Sequence, residues 1–222
     1  MSNWKTPVGP LKWTFVSDKG APKYGKEYTS EDPADFEYKA SMIVDGKTAK
    51  HIQNTVIKPF WDANKPAKIA KPTSTFLKPE MVETDDVDEY GAKLKKESGN
   101  YIISASTNAN FKNKDGWVPN KIVLLRKNGQ TLPENHPLVK GDVGVADGST
   151  GVIHGVLAVT EYEGKAYVKF YLKGVQFAKF VPYESTGVTA EALEGDEDDG
   201  LGGDGLDDID TAPITDSEGP QL

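Results

Sequence analysis

Apolar and polar residues alternate in several short runs along the chain. In Phe36–Met42 the residues Phe36, Tyr38, Ala40 and Met42 fall on one face, which is the period of a half-buried strand. Further β-prone runs are Tyr101–Thr107, Lys121–Arg126 and Val152–Tyr162. The pattern favours a mainly β protein.

Turns and helices are indicated between these strands. Asn128-Gly129 predicts a turn, because both residues tolerate positive φ, and the four glycines of Gly141–Gly151 predict a bend or bulge. After Asp45-Gly46 the period becomes helical, and Pro59 is expected to end or kink the helix. A second short helix is predicted over Asp85–Lys96. The run of Lys, Pro and small residues from 64 to 79 predicts an extended, exposed loop.

The segment Lys165–Lys173 has the most informative alternation. As a strand it places Ala166, Val168, Phe170 and Leu172 on one face, and Lys and Tyr side chains on the other. Same-face neighbours lie about 6.6 Å apart, comparable to one nucleotide of an extended single strand. Tyrosine rings stack on bases and lysines meet phosphates. The alternative is that Tyr and Lys simply form the solvated face of an antiparallel sheet.

Lysines also stand beside aromatic residues outside this segment. Large exposed aromatic residues in loops suggest a binding role, although each tryptophan could instead anchor a loop to the core. The candidate contacts to single-stranded nucleic acid are Tyr167, Lys169, Tyr171 and Lys173, with Lys165 on the same face, followed by Tyr24, Lys26, Trp61, Lys112 and Trp117. Arg126 is the only arginine, which argues against bidentate guanine readout and favours backbone tracking.

Charge divides the chain at Tyr183. The 222 residues carry a net charge of −8, but the segment 184–222 has 13 acidic residues, no basic residue and no aromatic residue, so residues 1–183 carry +5. The sequence therefore predicts a folded domain over 1–183 and an acidic, disordered tail over 184–222. The candidate partner-binding residues of the tail are Asp196, Glu197, Asp198, Asp199, Asp207, Asp208 and Leu222.

No motif for catalysis or cofactor binding is found in the sequence. The chain contains no cysteine, which excludes thiol nucleophiles and Cys-based metal sites. His51, His136 and His154 lack metal-ligand spacing, and phosphate-binding loops, dinucleotide fingerprints and nucleophile elbows are missing. We therefore expect no catalytic residues, no metal and no cofactor. No run reaches the roughly 20 apolar residues of a membrane span, so an intracellular soluble protein is expected.

Taken in order, the weak motifs of the chain resemble the single-stranded DNA-binding proteins of tailed bacteriophages, which are built on the oligonucleotide/oligosaccharide-binding (OB) barrel. The segments that carry the resemblance are Pro22–Gly25, the Phe36–Val44 strand before a helix over Gly46–Lys58, Gly99–Ser106, Asn120–Leu125 with the Asn-Gly turn, Val168–Val181, and the acidic tail. The resemblance implies an OB-fold domain over 1–183, a five-stranded Greek-key barrel with one or two short helices and a cationic, aromatic-lined groove.

The same resemblance implies a function. It implies sequence-tolerant binding and protection of single-stranded DNA during phage replication and recombination, in the cytoplasm of the infected bacterial host. The tail is expected to recruit replication proteins such as a polymerase or a helicase/primase, and to compete with DNA. Whether the chain forms a homodimer is left open by the sequence. One departure is that the best-known members end in an aromatic residue, whereas this chain closes with Leu222.

Two other functions are compatible with parts of the sequence. A virion or scaffold β-protein with an acidic docking tail would self-assemble and show no DNA affinity after removal of the tail. A DNA mimic that inhibits a host enzyme would explain the acidic tail, but it leaves the Lys/Tyr strand without a role.

Overall fold

The computed structural model describes residues 1–17 and 20–183, which all belong to one compact unit, Met1–Ser185. The predicted disordered tail and its partner-binding residues lie outside the described residues.

The described residues form mostly β-structure. The strands are β1 (Ser2–Lys5), β2 (Gly9–Phe15), β3 (Ala21–Pro22), β4 (Phe36–Val44), β5 (Ser74–Thr75), β6 (Leu77–Val87), β7 (Lys93–Asn108), β8 (Asn110–Asn113), β9 (Gly116–Pro119), β10 (Val123–Leu125), β11 (Gly144–Val145), β12 (Thr150–Tyr162), β13 (Lys165–Lys179) and β14 (Pro182–Tyr183). The helical segments are a 3₁₀ turn (Pro33–Asp35), α1 (Gly46–Ile52), a π-helical turn (Gln53–Ile57), α2 (Lys58–Asn64) and α3 (Pro137–Lys140).

Five of these strands close into a barrel. The order around it is β2, β4, β7, β13 and β12, and β12 pairs back with β2. Neighbouring strands are antiparallel except β7 and β13, which are parallel. This order and the single parallel pair define the Greek-key barrel of the OB fold. The predicted fold class is confirmed.

The barrel interior is filled by the alternating apolar residues. Strand β4 has the predicted bounds and buries Phe36, Ala40 and Met42 inside, with Tyr38 half-buried. On β13 the four residues from the predicted apolar face are all 3% exposed or less. Because apolar side chains recur at every second position, one face of each strand turns into the core.

The helix after β4 continues further than expected. Asp45 caps its start by accepting a hydrogen bond from the Thr48 amide, and the chain stays helical through Pro59 to Asn64. In the π-helical turn the Lys58 amide donates to the Gln53 carbonyl, five residues back. This wider turn accommodates the proline within the helix. Pro59 therefore does not end the helix, which runs on to Asn64.

Two predicted segments are wrong. Residues Asp85–Lys96 form no helix, because β6 and β7 pair across them as a long hairpin that includes the pairs Glu83–Lys95 and Val87–Lys93. The segment 64–79 is not all exposed loop, since it contains β5 and the start of β6, and Phe76 is buried in the core. Phe76 packs with Trp4 and Phe170 at ring-centroid distances of 5.2 and 5.5 Å.

The predicted turn and bend are confirmed. The Arg126 amide donates to the Gln130 carbonyl around the Asn-Gly turn, where Gly129 has φ of 83°. In the glycine-rich segment the pairing of β12 with β13 shifts register between Thr150 and Gly151, as expected of a bulge.

Candidate nucleic-acid interface

A groove of about 670 Å³ lies along the seam where β7 meets β13. The two strands pair only at Tyr171 and Ser106, and further along β13 the short strand β5 takes the place of β7 beside Tyr167. The groove is lined by Lys23, Glu37, Ser74, Thr75, Phe76, Lys78, Ser104, Ser106, Thr107, Asn108 and the β13 residues 167–171. Because β7 and β13 pair at one position, an open channel remains between them on the barrel surface.

The β13 wall of the groove carries the predicted Tyr/Lys face. Tyr167 and Tyr171 are half-buried and Lys169 is exposed, and all three line the groove. Lys165 and Lys173 are exposed at either end of the same face but do not line the groove. The strand therefore presents two aromatic rings with an ammonium group between them.

The opposite wall is built mainly from hydroxyl and amide side chains. On β7, Ser104 lies with its Oγ 3.2 Å from that of Ser41, and the Oγ1 of Thr107 accepts from the Nδ2 of Asn120 at 3.2 Å. The groove residues from β5 to β7 were not selected from the sequence. The alternation Ser104-Ala105-Ser106 is the signal that could have revealed this wall, because the buried alanine places both serines on the outer face.

The loop between β3 and β4 reaches one end of the groove through Lys23, whose Nζ donates to the Ala34 carbonyl. Asp35 organises this loop: the Ser30 Oγ donates to it at 2.7 Å and the Lys26 Nζ lies 3.0 Å away. The hydrogen bonds from Ser30 and then Lys26 lower the pKa of Asp35 below its usual value. Tyr24 is fully exposed on the same loop.

The hairpin of β8 and β9 stands next to this loop. The Asn110 Nδ2 donates to the Pro33 carbonyl at 3.1 Å, and the Ala109 amide donates to the Phe36 carbonyl. On the hairpin the Nζ of Lys112 lies 6.0 Å from the ring centroid of Trp117, which is 41% exposed. Hydrogen bonds therefore attach a second Lys–aromatic pair to the loop that carries Tyr24 and Lys26.

The structure contradicts the prediction that Trp61 contacts single-stranded nucleic acid. It is 4% exposed and packs in the core, and its Nε1 donates to the Ala70 carbonyl at 3.2 Å. The helix that continues past Pro59 turns Trp61 inward, where it anchors the loop after α2. A buried indole offers no face to a ligand, so Trp61 is not a surface contact.

Positive side chains outnumber negative ones in the groove lining. The charged residues that line it are three lysines, Lys23, Lys78 and Lys169, and one acidic residue, Glu37. Across residues 1–17 and 20–183, no three His, Cys, Asp or Glu side chains come together as metal ligands. None of the helices in this part of the chain has the length and apolar character needed to cross a membrane. The groove is an open, cationic channel with aromatic rings on one side.

The comparison with known proteins rests on structure. No protein-family model and no curated protein matches the chain. The fold is similar to the crystal structure of gp2.5, a single-stranded DNA binding protein encoded by bacteriophage T7, with a TM-score of 0.51 and 14% identity over 89% of this chain and 98% of that chain. The single-stranded DNA-binding protein from bacteriophage Enc34, in complex with ssDNA, matches with a TM-score of 0.49 and 16% identity over 80% of this chain and 86% of that chain. The resemblance to phage single-stranded DNA-binding proteins is confirmed as a similarity of fold over most of the chain.

Proposed function

We propose that this chain is a non-enzymatic protein that binds and protects single-stranded DNA with little regard to sequence, during phage replication and recombination. The observation that carries the proposal is the Tyr/Lys face of β13, which forms one wall of an open groove on an OB barrel. The T7 protein of similar fold is named for the same ligand.

The Tyr/Lys face of β13 offers contacts to two different parts of a nucleotide, the base and the phosphate. Tyr167 and Tyr171 provide rings on which any base can stack, because every base has a π-face. Lys169 lies between them and can neutralise a phosphate, while Lys165 and Lys173 extend the positive charge along the strand. Neither stacking nor phosphate contacts report base identity, which is why binding is expected to tolerate sequence.

The loop and the hairpin extend this interface beyond the groove. Tyr24 and Lys26 on the loop, and Lys112 and Trp117 on the hairpin, repeat the pairing of a cation with an aromatic ring. Lys26 is partly committed to Asp35, so Tyr24 is the stronger of the two loop contacts. Both elements are hydrogen-bonded to each other near Pro33, which lets them act as one surface.

The acidic segment 184–222 is proposed as a regulator and a docking segment. Its 13 acidic residues oppose the approach of DNA phosphates to a body of net charge +5 and weaken binding, most at low ionic strength. Its acidic clusters and Leu222 are the residues we propose to recruit replication proteins. We infer a division of the chain into a DNA-binding domain and an acidic tail at Tyr183.

A fluorescence titration of the full chain with oligo-dT at low and high salt tests the proposal. Affinity is expected to fall steeply with salt, because lysine–phosphate contacts release counterions. Tyr171→Ala is expected to cost about 1–3 kcal/mol of binding free energy, the typical loss of one stacked base.

Tyr90→Ala is the matched control. Tyr90 is 86% exposed at the β6–β7 turn and does not line the groove, so its loss should leave affinity unchanged. Stable self-assembly of the chain without oligonucleotide binding at low salt, including a chain shortened to residues 1–183, would favour a structural β-protein and overturn the proposal.

A further inference from the structure

Strand β2 contains a strained residue on the outer surface of the barrel. Trp13 has φ of 43°, a left-handed conformation that is unusual for a bulky residue. The register of β2 on β4 explains the position: Lys12 pairs with Ser41 and Phe15 with Lys39, so Trp13 and Thr14 together oppose Ala40. Trp13 therefore sits in a β-bulge.

The bulge separates the two side chains. Thr14 is buried, whereas Trp13 is 53% exposed. Among residues 1–17 and 20–183, the Trp13 side chain has no hydrogen bond, ion pair or ring contact. The folded chain thus keeps a strained backbone and a half-exposed indole that does not belong to the hydrophobic core. Strain of this kind is concentrated at functional sites.

The pairing register aligns the β2 residues on either side of Trp13 with groove residues on β7 and β13. Phe15 pairs with Lys39, Lys39 with Ser106, and Ser106 with Tyr171. These four paired residues therefore form one row across β2, β4, β7 and β13. The row has an aromatic residue at each end, and Lys39 lies between them. The adjacent row joins Lys12, Ser41 and Ser104, so Trp13 lies between two rows that each include a serine of the groove wall, Ser106 or Ser104.

Strand spacing gives the distance. Neighbouring strands lie about 4.8 Å apart, so the backbone of Trp13 lies about 10 Å from β7. That separation is comparable to one or two nucleotides of an extended strand. Lys39, half-buried on the strand between them, is placed to meet the intervening phosphate.

We propose that Trp13 is a further stacking residue for single-stranded DNA, and that the strand runs from the groove at Tyr171 across β7 and β4, past Lys39, to β2. This inference rests on the proposed function. In this arrangement the bulge presents the indole to solvent, and the DNA crosses the barrel strands instead of following β13 alone.

The test compares Trp13→Gly, Trp13→Phe and Tyr90→Gly in the full chain, using labelled oligo-dT and fluorescence anisotropy at low salt. Glycine adopts positive φ without strain, so Trp13→Gly should keep the melting temperature at or above that of the unsubstituted chain. It should weaken binding about fivefold or more, the lower end expected from losing one stacked base. Tyr90, 86% exposed at the β6–β7 turn, serves as an aromatic control whose loss should not change affinity.

Trp13→Phe gives a second, independent readout. Phenylalanine keeps a ring for stacking, so affinity should stay close to that of the unsubstituted chain. The quenching of intrinsic fluorescence by oligo-dT should fall, because an emitter at the interface has been removed.

The outcomes separate the two proposals. If the unsubstituted chain binds oligo-dT and Trp13→Gly binds equally well, the inference is overturned and the proposed function stands. It is also overturned if Trp13→Phe leaves the quenching unchanged. Failure of both the unsubstituted chain and the chain shortened to residues 1–183 to bind at low salt overturns both.

Discussion

At the scale of single residues, Asp35 shows how one carboxylate can hold a loop in place. Its two oxygens receive Ser30 and Lys26, and its own carbonyl accepts from the Lys23 amide. These contacts span most of the loop between β3 and β4. The loop that carries Tyr24 is therefore fixed by ionic and hydrogen-bonded contacts more than by apolar packing.

The lowered pKa of Asp35 predicts an acid-dependent loosening of this loop. Its folded pKa lies below the ordinary value of 3.8, so the stabilisation is complete above about pH 4 and is lost as pH falls through the folded pKa. Backbone NMR signals of the loop are expected to be unchanged from pH 7 to 5 and to shift or broaden below about pH 4.

Substitution of the same residue tests the cause at neutral pH. Asp35→Asn should loosen the loop and speed trypsin cleavage after Lys23 and Lys26, because the charged acceptor is lost. Glu31→Gln is the control, since Glu31 lies in the same loop and makes no hydrogen bond or ion pair within the described residues. Equal cleavage rates in both variants would show that Asp35 does not hold the loop.

At the scale of elements, the hairpin of β12 and β13 depends on a close crossing at Gly155. A Cβ there would lie 2.2 Å from the Tyr171 carbonyl oxygen and 2.7 Å from the Phe170 ring. The register of the two strands shifts between His154 and Gly155. The Tyr171 backbone that borders the groove is thus packed directly against a glycine.

Gly155→Ala is expected to lower the free energy of unfolding by about 1–3 kcal/mol, the usual cost of overpacking, because backbone atoms must move to admit the methyl group. Urea denaturation measures the loss. Gly144→Ala is the control: on β11 the nearest atom to an added Cβ is 3.5 Å away in the Tyr183 side chain, an ordinary van der Waals contact, so little change is expected. Equal stability of the Gly155 variant would contradict the close crossing.

The same elements show what the sequence could predict. The β13 face was predictable because alternation over nine residues has one interpretation for a half-buried strand. The interior position of Trp61 was not, since it depends on a π turn that carries the helix past Pro59. The serine wall was also missed, because serines on β7 become part of a groove only through the non-local pairing with β13.

At the scale of the whole molecule, charge is distributed very unevenly. The net charge of −8 combines 13 acidic residues after Tyr183 with a positive body. The five barrel strands and the core cluster found among the described residues are formed by residues up to 183, so a chain that ends at Tyr183 retains these residues.

Removal of residues 184–222 is therefore expected to tighten oligo-dT binding, with the largest gain at low salt and a smaller gain at high salt. Paired titrations of the full and shortened chains measure the effect. A full-length chain with Asp196, Glu197, Asp198 and Asp199 changed to Asn or Gln separates charge from length, and should bind with intermediate affinity. Weaker binding after truncation would contradict a competing tail.

The seam between β7 and β13 has a mechanical consequence. β12 and β13 pair along nearly their whole lengths, whereas β7 and β13 share only the Tyr171–Ser106 position. Transient separation of barrel strands is therefore expected most readily along this seam. An oligonucleotide bound in the groove as proposed would contact both strands, so its binding would stabilise the closed seam and the two would be linked in one equilibrium.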